Sequence, residues 1–252
     1  MIKTLVFSMI LGCERVELDS EKKESQAEKN EAHVVKPKKI VPKKEDGRLD
    51  ILLLGDSITE GVPYTYRYPL YQKLSEAKVE FNFVGSHRKG ASVYPKDWDR
   101  DNEGHSGWTT SDIDRSLERW LRGYTVDVTL IHLGTNDAYA STMDAAKKSM
   151  LSIVKKLRIH NPNVAIHIAQ IIPFGSKARV GDARARNMFI RNWNAMLKEL
   201  AMELTTPASP IVVVDMHTDF GDVDLHDGIH PTKEGAIRMA ERWMESLSIA
   251  VP

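Results

Sequence analysis

A single cysteine, Cys13, stands among 252 residues, so no intrachain disulfide framework can form. Charge of either sign is not in excess: 35 Lys and Arg balance 35 Asp and Glu. A chain without a basic surplus lacks the electrostatic footprint of a nucleic-acid binder, so no nucleic-acid partner is expected. The apolar stretch near the start, Leu5-Val6-Phe7-Ser8-Met9-Ile10-Leu11, is far short of the roughly 20 residues that span a bilayer. His217, Asp219, Asp222, Asp224, His226 and Asp227 crowd one region, yet without the spacing of a calcium-binding loop. No metal and no cofactor are therefore expected. The length suffices for one large domain or two small ones with a full core.

The first residues carry a signal of their own. Lys3 and the apolar stretch lead into Ile10-Leu11-Gly12-Cys13, which resembles the lipobox of a bacterial lipoprotein signal. Its charged and apolar regions are short for an export signal. The resemblance implies lipidation at Cys13, export, and membrane attachment through that cysteine alone; the other reading is an ordinary apolar N-terminus with a free thiol. Residues 14–47 are dense in Lys, Glu, Ser and Gln, with prolines at Pro37 and Pro42 and almost no aromatics. Such a segment buries too little apolar surface to offset its ordering entropy, so a disordered charged linker is expected. The folded domain is expected over 48–252.

From Leu49 the texture changes. Leu49-Asp50-Ile51-Leu52-Leu53-Leu54, ending at Gly55, reads as a buried strand. Phe81–Val84, Val126–Leu133, Val164–Gln170 and Ile211–Val214 read likewise, and apolar runs without alternation suit a parallel sheet covered on both faces. Helices are predicted over Tyr66–Ala77, Thr110–Leu121, Ser141–Ile159, Asp182–Leu204 and Lys233–Leu247. Strand and helix alternate throughout, which predicts a three-layer α/β domain.

Three polar motifs fall at strand ends, where open parallel sheets bind ligands. They are Gly55-Asp56-Ser57-Ile58-Thr59-Glu60-Gly61, Gly134-Thr135-Asn136-Asp137 and Asp227-Gly228-Ile229-His230-Pro231-Thr232. Each alone fits a turn or a helix cap. Together, after the first strand, after the strand ending at Leu133 and just before the last helix, they point to one rim. A serine hydroxyl needs a base to take its proton, and Ser57, His230 and Asp227 have the residue types for nucleophile, base and orienting carboxylate.

These motifs, with Glu103-Gly104-His105-Ser106-Gly107-Trp108-Thr109, resemble the SGNH/GDSL hydrolase superfamily from Leu49 to the last helix. The wording of Leu53–Gly61 and of His132–Asp137 is similar to carbohydrate esterase family three, which contains acetylxylan esterases. The resemblance implies a flavodoxin-like α/β/α sandwich with a five-stranded parallel sheet. It implies a serine esterase that removes short acyl groups, acetyl above all, from an acylated carbohydrate. It assigns the oxyanion hole to the backbone N–H groups of Ser57 and Gly107 and the side-chain amide of Asn136. Lysophospholipase or acyl-thioesterase activity is the alternative, and a non-catalytic glycan-binding lipoprotein the second. Other residues carry weaker expectations. Asp56 and Asp137 are expected to hold turns, His226 to be exposed and His132 to lie in the core. Tyr94, Trp98 and Trp108 suit either sugar stacking or packing, and Arg179, Arg184 and Arg186 either an acidic sugar or solvent.

Overall fold

The computed structural model describes residues 47–247. Cys13 and the expected signal and linker lie outside the described residues, Gly47 excepted. The first strand, β1 (Leu49–Gly55), runs into a one-turn helix α1 (Ser57–Glu60) and then α2 (Arg67–Glu76), β2 (Phe81–Val84) and the two-residue β3 (Glu103–Gly104). There follow α3 (Thr110–Leu121), β4 (Val128–His132), the short α4 (Asp137–Ala140) and α5 (Met143–His160). The chain continues through β5 (Ala165–Ala169), α6 (Ala183–Leu204), β6 (Ile211–Val214), a 3₁₀ turn over Asp222–Asp224 and α7 (Lys233–Leu247). The sheet order is β2-β1-β4-β5-β6, all parallel, with β3 paired to β1 beyond the end of β2. The expected five strands are present, and β3 is a sixth.

The sequence of β1 shows why its run is continuous rather than alternating. Successive side chains point to opposite faces. Leu52 and Leu54 enter the core under α3, α5 and α6, with Ile113, Met150, Ile153 and Leu197. Ile51 and Leu53 enter the core under α2 and α7, with Leu70, Leu74, Met239 and Trp243. Both faces are covered, so every position of β1 is buried. The helices begin where side chains satisfy their free N–H groups. Thr109 and Asp112 form a reciprocal capping box on α3, Thr142 caps α5 and Asp182 caps α6.

Two contacts from α6 set the rim above β4 and β5. Trp193 Nε1 donates to the Leu133 carbonyl at 3.2 Å, and the Asn194 amide pairs with both backbone groups of Ile171, at 2.8 and 3.0 Å. Gly134 sits against Trp193 with φ +128; a β-carbon there would lie 2.5 Å from the indole nitrogen. Only glycine lets the chain leave β4 in this direction.

Asp56 joins β1 to α1 and holds the turn. Its Oδ1 accepts from Ile58 N–H at 3.0 Å, while Oδ2 makes no hydrogen bond. The side chain is fully buried, and burial pushes its pKa up to about 6, against the Ile58 bond, the nearby Thr135 hydroxyl and the charge of His230. In the unfolded chain this carboxyl ionises near its ordinary value, so between about pH 4 and 6 the unfolded state releases a proton that the folded state retains. Stability is thus lost as pH rises through that window. Asp56→Asn keeps the cap and cannot ionise. Relative to wild type it is expected to gain on the order of 3 kcal/mol between pH 4 and pH 7, read from urea unfolding midpoints. A stability difference that stays flat across this range would contradict the buried charge.

Candidate active site

Ser57 opens α1 directly beyond the end of β1 and is half-buried. His230 lies 173 positions away in the loop before α7, yet its Nε2 is 2.9 Å from Ser57 Oγ. The other ring nitrogen, Nδ1, is 2.8 Å from Asp227 Oδ2. Asp227 Oδ1 accepts from the backbone N–H groups of Ile229 and His230, each at 2.9 Å. Partial burial works against the charge of Asp227, but the hydrogen bonds from His230 and Ile229 outweigh it and hold the carboxyl down at about 2. An ionised Asp227 makes Nδ1 the donor, leaving Nε2 free to accept the serine proton. The loop that carries both residues is closed by His226 N–H donating to His230 O at 2.8 Å and by Gly175 N–H donating to Gly228 O at 2.8 Å.

Two further predicted residues reach this rim on neighbouring strands. Gly55 pairs with Gly104 on one side and with His132 on the other. Three residues beyond Gly104, Gly107 occupies a turn in which Trp108 N–H donates to His105 O at 3.1 Å. Its φ of +81 is what the third position of a type II turn requires. No atom lies within 4 Å of where its β-carbon would stand, so backbone conformation rather than crowding calls for glycine. Four residues beyond His132, the largely buried Asn136 donates from Nδ2 to Trp108 O at 2.9 Å and accepts at Oδ1 from Tyr139 OH at 2.7 Å. The Gly107 turn and the Asn136 amide are therefore one connected unit.

That turn is held from below. Glu60 Oε2 accepts from Ser106 N–H at 2.8 Å and from Ser106 Oγ at 2.5 Å. His105 stacks on Trp108, Trp120 and His87 with centroids 4.4–4.5 Å apart, and its Nε2 is 2.8 Å from the fully buried Glu103. Beneath α1, the buried Arg67 guanidinium donates to four carbonyls, those of Thr59, Glu60, Lys89 and Arg100, at 2.7–3.0 Å. Burial lowers its pKa to about 10, which leaves it charged at neutral pH. Sequence reading missed Glu60, Arg67, Glu103 and Tyr139 as supports. Glu60 and Glu103 sit inside quoted motifs and Tyr139 follows Asn136 closely, yet nothing in those spacings marks a support; Arg67 grips carbonyls as far as Arg100, which meet only in the fold.

The remaining candidates sort by their contacts. Asp137 accepts from Thr110 N–H and Oγ1 at 2.9 and 2.7 Å, tying α4 to the start of α3. His226 is exposed, whereas His132 is wholly buried with its pKa lowered by burial to about 4. Trp98 is packed against Tyr68 with Arg67 over its ring, and Trp108 belongs to the histidine stack. Tyr94 stays half-buried against Tyr68. Arg179 and Arg184 are exposed, while Arg186 donates to Ala138 O at 2.6 Å and lies over the Tyr139 ring. Asp222 accepts from Ser176 N–H and Asp224 from Gly221 N–H and Arg238. Among the described residues no three His, Cys, Asp or Glu side chains converge on one point that would hold a metal.

Comparison with known proteins fits this site. Residues 53–236 match the GDSL-like Lipase/Acylhydrolase family. A multidomain esterase of Ruminococcus flavefaciens is 25% identical over 224 residues; the match covers 80% of this chain and 28% of that protein, so the chain spans under a third of its relative. A serine-to-alanine mutant of an acetyl esterase, solved with an acetate ion, is 27% identical with a TM-score of 0.70, covering 79% of this chain and 98% of that one. A family 3 carbohydrate esterase from Talaromyces cellulolyticus is 29% identical with a TM-score of 0.67 over 79% and 96% of the two chains. Its counterpart from Clostridium thermocellum is 26% identical, with a TM-score of 0.65 over 79% and 94%. The family match spans most of the chain, from within β1 to the first turn of α7, and the chain belongs to the GDSL-like lipase/acylhydrolase family of carboxylic ester hydrolases.

Proposed function

We propose that the domain is a serine esterase that removes acetyl groups from an acylated carbohydrate, with Ser57 as nucleophile, His230 as base and Asp227 as orienting carboxylate. The observation that carries this reading is the unbroken line from Ser57 Oγ through both nitrogens of His230 to Asp227, at 2.9 and 2.8 Å. Ser57 Oγ attacks the ester carbonyl as its proton passes to His230 Nε2. The imidazolium formed is stabilised by Asp227 and returns the proton to the departing sugar oxygen. Water then repeats the sequence in reverse on the acetyl-enzyme, releasing acetate. The oxyanion of each tetrahedral intermediate is received by Ser57 N–H, Gly107 N–H and the Asn136 N–H not used by Trp108.

A short acyl group on a sugar is supported by the neighbours at more than 25% identity, which include an acetyl esterase with acetate and two carbohydrate esterases.

Ser57→Ala is expected to lower kcat on 4-nitrophenyl acetate by about 10⁵-fold or more while the thermal unfolding midpoint stays within a few degrees. Full activity in this variant would remove Ser57 from the chemistry. In the wild type, acetylated xylan oligosaccharides should be cleaved with higher kcat/KM than long-chain acyl esters; the reverse order would assign the site to lipids. Because Asp227 keeps its charge down to about pH 2, the neutral form plays no part at working pH. Asp227→Asn should therefore lower kcat by about 10³- to 10⁴-fold at every pH assayed above that point, with KM little changed. A loss confined to one end of the pH range would contradict an ionised Asp227.

A further inference from the structure

Asn136 presents a choice that its own side chain does not decide. Rotating the amide by 180° exchanges a donor for an acceptor at almost no change of shape. One orientation offers an N–H to the oxyanion and the other offers a carbonyl oxygen that repels it. One neighbour selects between them, and a second completes the pairing. The Trp108 carbonyl only accepts, so it pairs with Nδ2, at 2.9 Å; Oδ1 faces the Tyr139 hydroxyl at 2.7 Å.

We propose that Tyr139 is a positioning residue for the oxyanion hole, its hydroxyl holding and polarising the Asn136 amide so that the second N–H of Nδ2 faces the substrate. The inference rests on the reading of Asn136 as an oxyanion donor. Tyr139, 39% exposed, stands one turn beyond Asn136 in α4, and two contacts hold its ring. The ring packs against Phe174 at 5.9 Å, and the Arg186 guanidinium lies 5.8 Å over it while donating to Ala138 O in the same helix. Partial burial first, then the charges of Asp56 and Asp137, raises the pKa of the hydroxyl against the pull of Arg186, so it remains a donor at working pH. A hydrogen bond into Oδ1 draws electron density from the amide and strengthens its N–H groups as donors. Without it, Oδ1 of a residue only 7% exposed is left unpaired, and the amide gains a reason to turn.

The test is a double-mutant cycle with 4-nitrophenyl acetate on the full chain. Tyr139→Phe keeps the ring, its packing and the Arg186 contact, and removes one hydroxyl. It is expected to lower kcat about tenfold with KM changed less than about twofold. Asn136→Ala is expected to lower kcat by on the order of a hundredfold or more. In the double variant, Tyr139→Phe should add nothing to Asn136→Ala, because the hydroxyl acts through that amide. Wild-type kcat in Tyr139→Phe, or a further tenfold loss in the double variant, would overturn the positioning role while leaving Asn136 as a donor. Wild-type kcat in Asn136→Ala would overturn the oxyanion assignment and the Tyr139 role with it.

Discussion

One hydrogen bond, 2.9 Å between Ser57 Oγ and His230 Nε2, joins the first and last parts of the folded domain. Neither partner can be displaced by much without losing it, and most of the framework holds one or the other in place. Ser57 is fixed by the fully paired β1 beneath it, by the Asp56 cap and by Arg67 gripping the carbonyls at the end of α1. His230 is fixed by Asp227, which gathers two backbone N–H groups and the ring into one carboxylate. A side chain held by three donors keeps both its charge and its direction, so the imidazole arrives with the correct nitrogen facing the serine.

The sheet order explains why such distant motifs meet. β1 lies inside the sheet, with β4 on one side and β2 and β3 on the other, so the loops after β1, β3 and β4 are neighbours at one rim. β3 is only two residues long, yet it brings Gly107 beside the end of β1. Its short ladder would hold little alone. The Glu60–Ser106 bonds and the His105 stack supply the rest, and they come from side chains outside the strand.

Much of this architecture is legible in the chain, and the exceptions have physical causes. Phe81–Val84, Ile211–Val214, Thr110–Leu121 and Lys233–Leu247 coincide with their elements end to end, since turn residues or caps bound each of them. The expected Val126–Leu133 and Val164–Gln170 are longer than β4 and β5. Val126, Leu133 and Val164 are fully buried by helices but lie outside the hydrogen-bonded ladders, and hydrophobicity reports burial rather than pairing. β3, α1 and α4 have too few residues to show any period. At the site, Ser57, Gly107, Asn136, Asp227 and His230 were legible because each belongs to a short motif with its own turn. Arg67 was not, because the four carbonyls it grips become neighbours only in the fold; Glu103 and Tyr139 were not, because their short spacing to His105 and Asn136 carries no signal of a contact.

The reading proposed for Ser57 is that its hydroxyl combines a base on its oxygen, His230 Nε2 at 2.9 Å, with donors for the oxyanion it generates. A fluorophosphonate ester reports on that combination directly, since it phosphonylates a serine only where the hydroxyl is activated and the developing oxyanion is stabilised. Peptide mass spectrometry after brief exposure should find one adduct per chain, on Ser57, and none in His230→Ala. An adduct on a different residue, or labelling of Ser57 that persists undiminished without His230, would contradict the account.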